Sequence, residues 1–235
     1  MAQNIRDSTR IAWILFATAF AAGAVDIIGF AKLGGVFASA MTGNFALLAY
    51  HLAQGNTRSA IGSVVALIGF VSGCLIGFTR LRGRTARTTV SLLLGAETAL
   101  LLVFPFVPAT RVQIAILAVA MGLQAVVGQM VSLSTIVFTT TLTRLIGGIA
   151  DAVVTRNSTG MRDIREQVTL IASYLLGALL AGILTVHGIG AVVFLPVAGV
   201  AVALAAHQFG GVPGAFNPPS QRGSAASRRG AGEPE

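Results

Sequence analysis

Charge is what this sequence has least of. Only 10% of its 235 residues are charged, whereas 54% are hydrophobic and the mean hydropathy is +0.82. Because soluble domains carry about 25% charged residues, this chain lacks the side chains needed to cover a surface in water. The sequence therefore predicts an integral membrane protein whose main partner is the lipid bilayer.

Cysteine and lysine are also nearly absent. Cys74 is the one cysteine, which excludes a disulfide framework and a thiolate metal cluster. Of the 16 basic residues 15 are arginine, and they cluster in short loops and tails, as the positive-inside bias expects. We therefore predict no nucleic-acid binding despite the net charge of +8.

No catalytic or metal-binding pattern stands out. His51, His187 and His207 lie near the ends of apolar segments, without the carboxylate spacing of a metal site. No serine accompanies a histidine and an acid as it would in a hydrolase. The sequence predicts no metal, no cofactor and no enzymatic activity.

Apolar segments divide the chain into two similar halves, each with four segments. We predict a cytoplasmic head at residues 1–10 and a first transmembrane repeat at 11–107. A second repeat follows at 111–207, and the tail at 209–235 is basic and rich in Gly, Pro, Ser and Ala. Such a composition cannot bury a core, so a disordered cytoplasmic tail is expected.

The distribution of basic residues predicts which segments cross the membrane. Segments 37–54 and 136–154 are interrupted by polar residues; if both enter and return on one side, 12 basic residues lie inside and three outside. Eight crossings would leave ten inside and five outside, and seven would leave eleven and four. We therefore predict an all-α protein with six transmembrane helices in two inverted three-span repeats, each with a re-entrant segment, and with both termini cytoplasmic. Seven or eight spans are the alternatives.

Short polar motifs recur inside the apolar segments. The sequence contains Gly23-Ala24-Val25-Asp26-Ile27-Ile28-Gly29-Phe30, then Gly34-Gly35-Val36-Phe37, Met41-Thr42-Gly43-Asn44-Phe45 and, in the second half, Gly122-Leu123-Gln124. These motifs resemble the signature of the YoaK family, over about residues 11–207. The resemblance implies a multi-pass protein of the bacterial inner membrane and brings no established activity. Where that family often repeats Thr-Gly, this chain has Thr143-Arg144.

The first-half motifs supply the first candidate site residues. Asp26 lies within the first span, where a carboxylate costs about 2.5–3.5 kcal/mol on insertion scales. It is a proton or cation site, or else a structural acid paired with Arg144; in the first case Asp26→Asn should leave folding intact. Thr42, Gly43 and Asn44 combine a hydroxyl, a backbone break and an amide, and suit either a solute site or close helix packing.

The second set of candidates lies further along the chain. Glu97 is a second acid in an apolar segment, either a proton carrier or the partner of an arginine. Gln124 stands opposite Val25 in the repeat, beside the position of Asp26. Thr143 and Arg144 answer Thr42 and Gly43, and we expect a carboxylate partner for Arg144 at membrane depth; Asp26, Glu97 and Asp151 remain the alternatives.

Two functions agree with these features. Inverted repeats with broken segments and buried ionisable groups are typical of secondary transporters, which predicts a permease for a small solute or ion. A membrane scaffold or assembly factor, whose buried polar groups only fix packing, is the alternative. Six spans make a thin transporter, so a homodimer is compatible with either function.

Overall fold

Eight α-helices make up nearly all of the part of the chain that the structure describes. This computed structural model describes residues 2–80, 85–130, 138–155 and 161–208. The helices are α1 (Ala2–Lys32), α2 (Met41–Ala53), α3 (Thr57–Arg80), α4 (Ala86–Val103), α5 (Thr110–Met130), α6 (Phe138–Thr155), α7 (Met161–Val186) and α8 (Leu195–Gln208). Short 3-10 turns cover Phe104–Phe106 and Gly190–Phe194.

Six of the described helices are long and apolar enough to cross a bilayer. They lie in α1, α3, α4 with its 3-10 turn, α5, α7, and α8 with its 3-10 turn. The α2 helix has 13 residues, about 20 Å at 1.5 Å per residue, which is too short for a hydrocarbon core of about 30 Å. The predicted all-α fold with six candidate spans is confirmed, whereas the inverted orientation of the two halves stays a prediction.

The N-terminal residues belong to the first helix. Residues 2–10, within the predicted head at 1–10, are helical and continuous with the first span. The polar side chains end the apolar stretch without ending the helix, because none of them is a helix breaker. The predicted disordered tail at 209–235 lies outside the described residues.

Two glycine crossings hold the helices together. At the first, α1 meets α7: a Cβ on Gly23 would clash with the carbonyl oxygen of Tyr174, and a Cβ on Gly177 would clash with that of Phe20. Each glycine therefore lets the opposite backbone approach directly, as small residues do in membrane helix pairs.

The second crossing joins α3 to α5 in the same geometry. A Cβ on Gly122 would clash with the carbonyl oxygen of Phe70, and one on Gly73 would clash with that of Val119. In both crossings the opposing carbonyl lies three residues before the opposing glycine. The third helix of each half thus packs against the first helix of the other half.

The contacts along the helices give their relative directions. Leu15 and Leu170 share an apolar cluster, and Gly23 meets α7 further along both helices, so α1 and α7 are parallel. Gly69 faces Ala115 and Gly77 faces Val126, so α3 and α5 are parallel as well.

The loop after α1 contacts both the end of α1 and the start of α3. A Cβ on Gly29, near the end of α1, would lie 2.7 Å from the oxygen of Val36 in that loop. A Cβ on Gly62, near the start of α3, would lie 3.2 Å from a methyl carbon of Val36 and 3.9 Å from one of Ile114, near the start of α5. The end of α1 and the start of α3 are therefore at one level, as the six-span arrangement requires.

Four helices form an inner ring. The α1 helix packs against α8, α8 against α4, α4 against α5, and α5 in turn against α1, while α3 and α7 flank the ring on α5 and α1. Apart from Thr89, the buried residues of α4 have the same spacing as those of α8: Val90, Leu93, Leu94, Glu97 and Leu101 in α4, and Pro196, Gly199, Val200, Ala203 and His207 in α8. This two-fold pattern of packing is what a repeat of four helices would produce.

The orientation of the bundle is tested by cysteine accessibility. In a Cys74→Ser background, Thr57→Cys at the start of α3 should react with a membrane-impermeant maleimide in intact cells. Thr85→Cys, before α4, should react only after permeabilisation, because the six-span arrangement places it with the arginines inside. Both threonines are exposed, so labelling at position 85 in intact cells would contradict the arrangement.

The glycine crossing is tested by comparing two glycines of α7. Gly177→Ala should lower stability by about 1–3 kcal/mol, the usual cost of overpacking, because its methyl group would meet the Phe20 backbone. Gly182→Ala is the matched control, since nothing lies within 4 Å of a Cβ there. Thermal unfolding of both variants in detergent measures the difference, and equal melting temperatures would argue against the crossing.

Candidate functional site

The carboxylate of Asp26 is surrounded by hydrogen-bond donors. Its Oδ1 accepts from the backbone N–H groups of Ala38 at 2.9 Å and Ser39 at 2.7 Å. Its Oδ2 accepts from the Ser39 hydroxyl at 2.6 Å and from the Tyr174 hydroxyl of α7 at 2.8 Å. A carboxylate offers about four acceptor positions, so Asp26 is saturated by protein groups.

Asn44, in the first turn of α2, binds Phe37 in the loop between α1 and α2. Its Oδ1 accepts from the backbone N–H of Phe37 at 2.9 Å, and its Nδ2 donates to the carbonyl oxygen of Phe37 at 2.5 Å. A Cβ on Gly43 would lie 2.9 Å from the Phe37 ring, so the glycine makes room for that side chain. Thr42 beside it is exposed.

Asp26 and Asn44 therefore perform one structural task. The loop at residues 33–40 turns on Gly34 and Gly35, whose φ angles are +93° and +80°, and it has no helical hydrogen bonds for its buried end. In a bilayer such backbone groups must be satisfied within the protein. We call Asp26, Asn44, Ser39 and Tyr174 the loop clasp, because together they satisfy this backbone and attach it to α7.

At the α3–α5 crossing, the described residues hold no equivalent of the carboxylate and hydroxyl pair. Counting from the glycines of the crossings, Asp26 corresponds to Ala125 and Tyr174 to Phe70. The carboxylate and the hydroxyl are absent there together, as expected if the two groups act as a pair, since either group alone would be left buried and unsatisfied. The counterpart of the loop, residues 131–137, lies outside the described part of the chain.

Glu97 and Gln124, unlike Asp26 and Asn44, are buried without hydrogen-bond partners in the part of the chain that the structure describes. Both side chains are 0% exposed, and neither the two oxygens of Glu97 nor the oxygen and nitrogen of Gln124 has a hydrogen-bond partner among the described residues. Buried polar groups nearly always have partners, and each unsatisfied group costs about 1–3 kcal/mol. Among the described residues other single buried atoms, such as the Ser63 hydroxyl, also have no partner, but in Glu97 and Gln124 both polar atoms of the side chain are without one.

Both side chains point into the inner ring. Glu97 lies at the centre of the buried stripe of α4, which packs on α5 and α8. Gln124 lies two residues beyond Gly122, which faces α3, and two residues correspond to a rotation of about 200° around a helix. Gln124 is therefore directed away from α3, towards α4 and α1.

The remaining sequence candidates lie elsewhere. Thr143 and Arg144 are exposed on α6, a helix that packs against α7 and is not apolar enough to be a candidate span. Arg144 was expected at membrane depth with a carboxylate partner. Among the described residues no ion pair joins it to Asp26 or Glu97, because Asp26 is bound in the loop clasp and Glu97 lies inside the ring. The eight predicted residues thus fall into three separate places.

Two members of the loop clasp were missed by the sequence analysis. Tyr174 is one of only two tyrosines in the chain and stands in an otherwise apolar stretch of α7, which is a signal that could have been read. Ser39 follows the glycine turn, but a serine in a loop has no pattern that predicts its partner. A further link, between the His207 Nε2 and the carbonyl oxygen of Arg87 at 3.0 Å, joins the ends of α8 and α4.

Comparisons with known proteins agree with the membrane fold. A family described as "Protein of unknown function (DUF1275)" matches residues 14–207. The "UPF0700 transmembrane protein YoaK" of Bacillus subtilis (strain 168) is 30% identical over 178 residues, which are 69% of this chain and 78% of that protein. No solved structure matches.

The loop clasp is tested with the two tyrosines. Tyr174→Phe removes one donor from the Asp26 carboxylate and should lower stability by about 1–2 kcal/mol. Tyr50→Phe is the matched control, because Tyr50 is 59% exposed. Asp26→Asn should cost more than Tyr174→Phe, since an amide nitrogen would face donors; this replaces the expectation that folding survives that change. Unfolding of the three variants in detergent gives the ranking, and a Tyr174→Phe protein as stable as wild type would contradict the clasp.

Proposed function

We propose that this chain, which belongs to the DUF1275 family of membrane proteins, is a permease that moves a small solute or ion by alternating access. The proposal concerns a multi-pass protein with six candidate spans. Neither the family description nor the name of the Bacillus subtilis relative includes an activity. The function is therefore inferred from the side chains of the inner ring.

The contrast between Asp26 and the Glu97 and Gln124 pair carries the proposal. A scaffold has reason to satisfy its buried polar groups, as the loop clasp does with four donors on one carboxylate. It has no reason to keep an unpartnered acid and an unpartnered amide at the centre of a ring, because replacing them with apolar residues would remove their desolvation cost. Intramembrane ionisable groups that persist without a structural partner mark solute and ion pathways.

The packing of the helices supports alternating access. Transporters of this kind move one set of helices against another around a site at the interface of two repeats. Here the helices of the two halves are interleaved, with α7 on α1 and α3 on α5, and the ring that holds Glu97 and Gln124 takes two helices from each half. A rocking motion of the α1–α7 pair against the α3–α5 pair would open the ring on alternate sides.

A scaffold or assembly factor is the alternative, and it makes a different prediction. In that case every buried polar group acts through stability, so a variant loses function only as far as it loses abundance. Activity per folded molecule therefore separates the two functions.

The permease is tested by reconstitution into liposomes with a panel of small solutes and ions, with and without a proton gradient. Wild-type protein should move at least one member of the panel, and Glu97→Gln should lose most of that flux per folded molecule while its shape is kept. Gln129→Leu on α5 is the control, since Gln129 is exposed and outside the ring. Equal flux per folded molecule in Glu97→Gln and wild type would rule out a role for Glu97 in transport.

A further inference from the structure

The way in which α4 and α5 are joined places Glu97 and Gln124 at similar levels of the ring. The turn at residues 104–109 connects the two helices, and Gln113 Nε2 donates to the carbonyl oxygen of Phe104 at 3.3 Å. Phe104 and Gln113 are thus at one level, and α4 and α5 run in opposite directions from it. Glu97 is seven residues from that level and Gln124 is eleven, a difference of about 6 Å along the axis.

The direction of the side chains closes much of this difference. Helical side chains lean towards the N-terminus of their own helix. Glu97 therefore leans away from the turn, and Gln124 leans back towards it, so the carboxylate and the amide converge. They make no hydrogen bond to each other, so a ligand contacted by both would supply the partner that each of them lacks.

The opposite wall of the ring offers nothing polar at the corresponding places. By the spacing of the buried stripes, Glu97 corresponds to Ala203 in α8, and by the glycine register Gln124 corresponds to Val25 in α1. Both are 0% exposed. The polar groups are thus confined to the α4 and α5 side, and a ligand there would be held by one carboxylate and one amide.

Charge decides what kind of ligand fits. Every lysine and arginine whose burial the structure describes is exposed, namely Lys32, Arg58, Arg87, Arg111, Arg144 and Arg165. His207 is buried, but it lies beside Arg87 at the start of α4, about 15 Å from Glu97 along the helix. Within the described residues, no positive side chain compensates a carboxylate at the ring centre.

The geometry points to a binding site for one monovalent cation between Glu97 and Gln124, either an alkali metal ion or the ammonium group of a small amine. A single carboxylate balances a single positive charge, and the Gln124 oxygen supplies a second ligand or acceptor. The described residues hold no group of three His, Cys, Asp or Glu side chains that would form a cage for a multivalent metal ion. An anion is excluded because the only ionisable group in the ring centre is acidic. This inference rests on the proposed function and deepens it by naming the charge of the ligand.

The test measures binding without transport. Purified protein in detergent is unfolded by heat in choline chloride, and choline is then replaced by sodium, potassium or methylammonium at constant ionic strength. A ligand that binds only the folded state raises the apparent stability in a concentration-dependent way. We expect at least one of the three cations to raise the melting temperature of the wild-type protein, and the sodium, potassium and methylammonium arms separate a metal ion from an amine.

Matched variants locate the site. Glu97→Gln should abolish the cation effect, whereas Asp151→Asn, which removes an exposed carboxylate on α6, should keep it. Gln124→Asn draws the amide back by one methylene and should raise the cation concentration at half effect about tenfold, which corresponds to about 1.4 kcal/mol. If no cation stabilises the wild type beyond choline, or if Glu97→Gln responds as the wild type does, the site is wrong.

The outcomes also separate this inference from the proposed function. If cations stabilise the protein through Glu97 but the protein moves nothing in liposomes, the result supports the cation site and contradicts the permease function. If the protein shows flux but no cation stabilises it, the result supports the permease function and contradicts the cation site.

Discussion

A polypeptide that leaves the helix inside a bilayer must find partners for its backbone within the protein, and the loop after α1 depends on this constraint. Asp26 binds the N–H groups of Ala38 and Ser39, and Asn44 binds both the N–H and the carbonyl oxygen of Phe37. Because lipid offers no hydrogen bonds, these two side chains supply partners that the backbone of the loop between α1 and α2 needs. The Tyr174 hydroxyl then attaches the loop to α7, so that one carboxylate connects the first half of the chain to the second.

The same interleaving extends through the whole bundle. Two reciprocal glycine crossings set α7 on α1 and α3 on α5, and the remaining faces of α1 and α5 close a ring with α4 and α8. The ring is symmetric in its packing and asymmetric in its chemistry, since Glu97 and Gln124 both belong to the α4 and α5 side. In the proposed permease, this two-fold framework with a one-sided polar centre would hold a ligand in one position while the helix pairs around it exchange two arrangements.

Much of the fold follows from the sequence, because length, hydropathy and the distribution of arginine are direct consequences of the bilayer. The six candidate spans and the short α2 are predictable in this way. The sequence also identified Asp26 and Asn44 as unusual, but could not show that they bind one loop, since that depends on backbone geometry at Gly34 and Gly35. The partner of Arg144 could not be read from the sequence for a related reason: charge neutrality predicts that a buried arginine has a carboxylate partner, but not which of Asp26, Glu97 and Asp151 it is, nor that Arg144 is exposed on α6.

The central claim is that the satisfied polar groups of the loop clasp act on stability, whereas the unsatisfied Glu97 and Gln124 of the inner ring act on activity. The most direct measurement compares Ser39→Ala with Gln124→Leu, taking unfolding free energy and flux per folded molecule for each. The account predicts that Ser39→Ala is less stable with normal flux per molecule, because a donor to Asp26 is lost. It predicts that Gln124→Leu is as stable as wild type or more so, with flux strongly reduced, because a buried amide without partners is replaced by an apolar side chain. A destabilised Gln124→Leu protein with normal flux per molecule would contradict it.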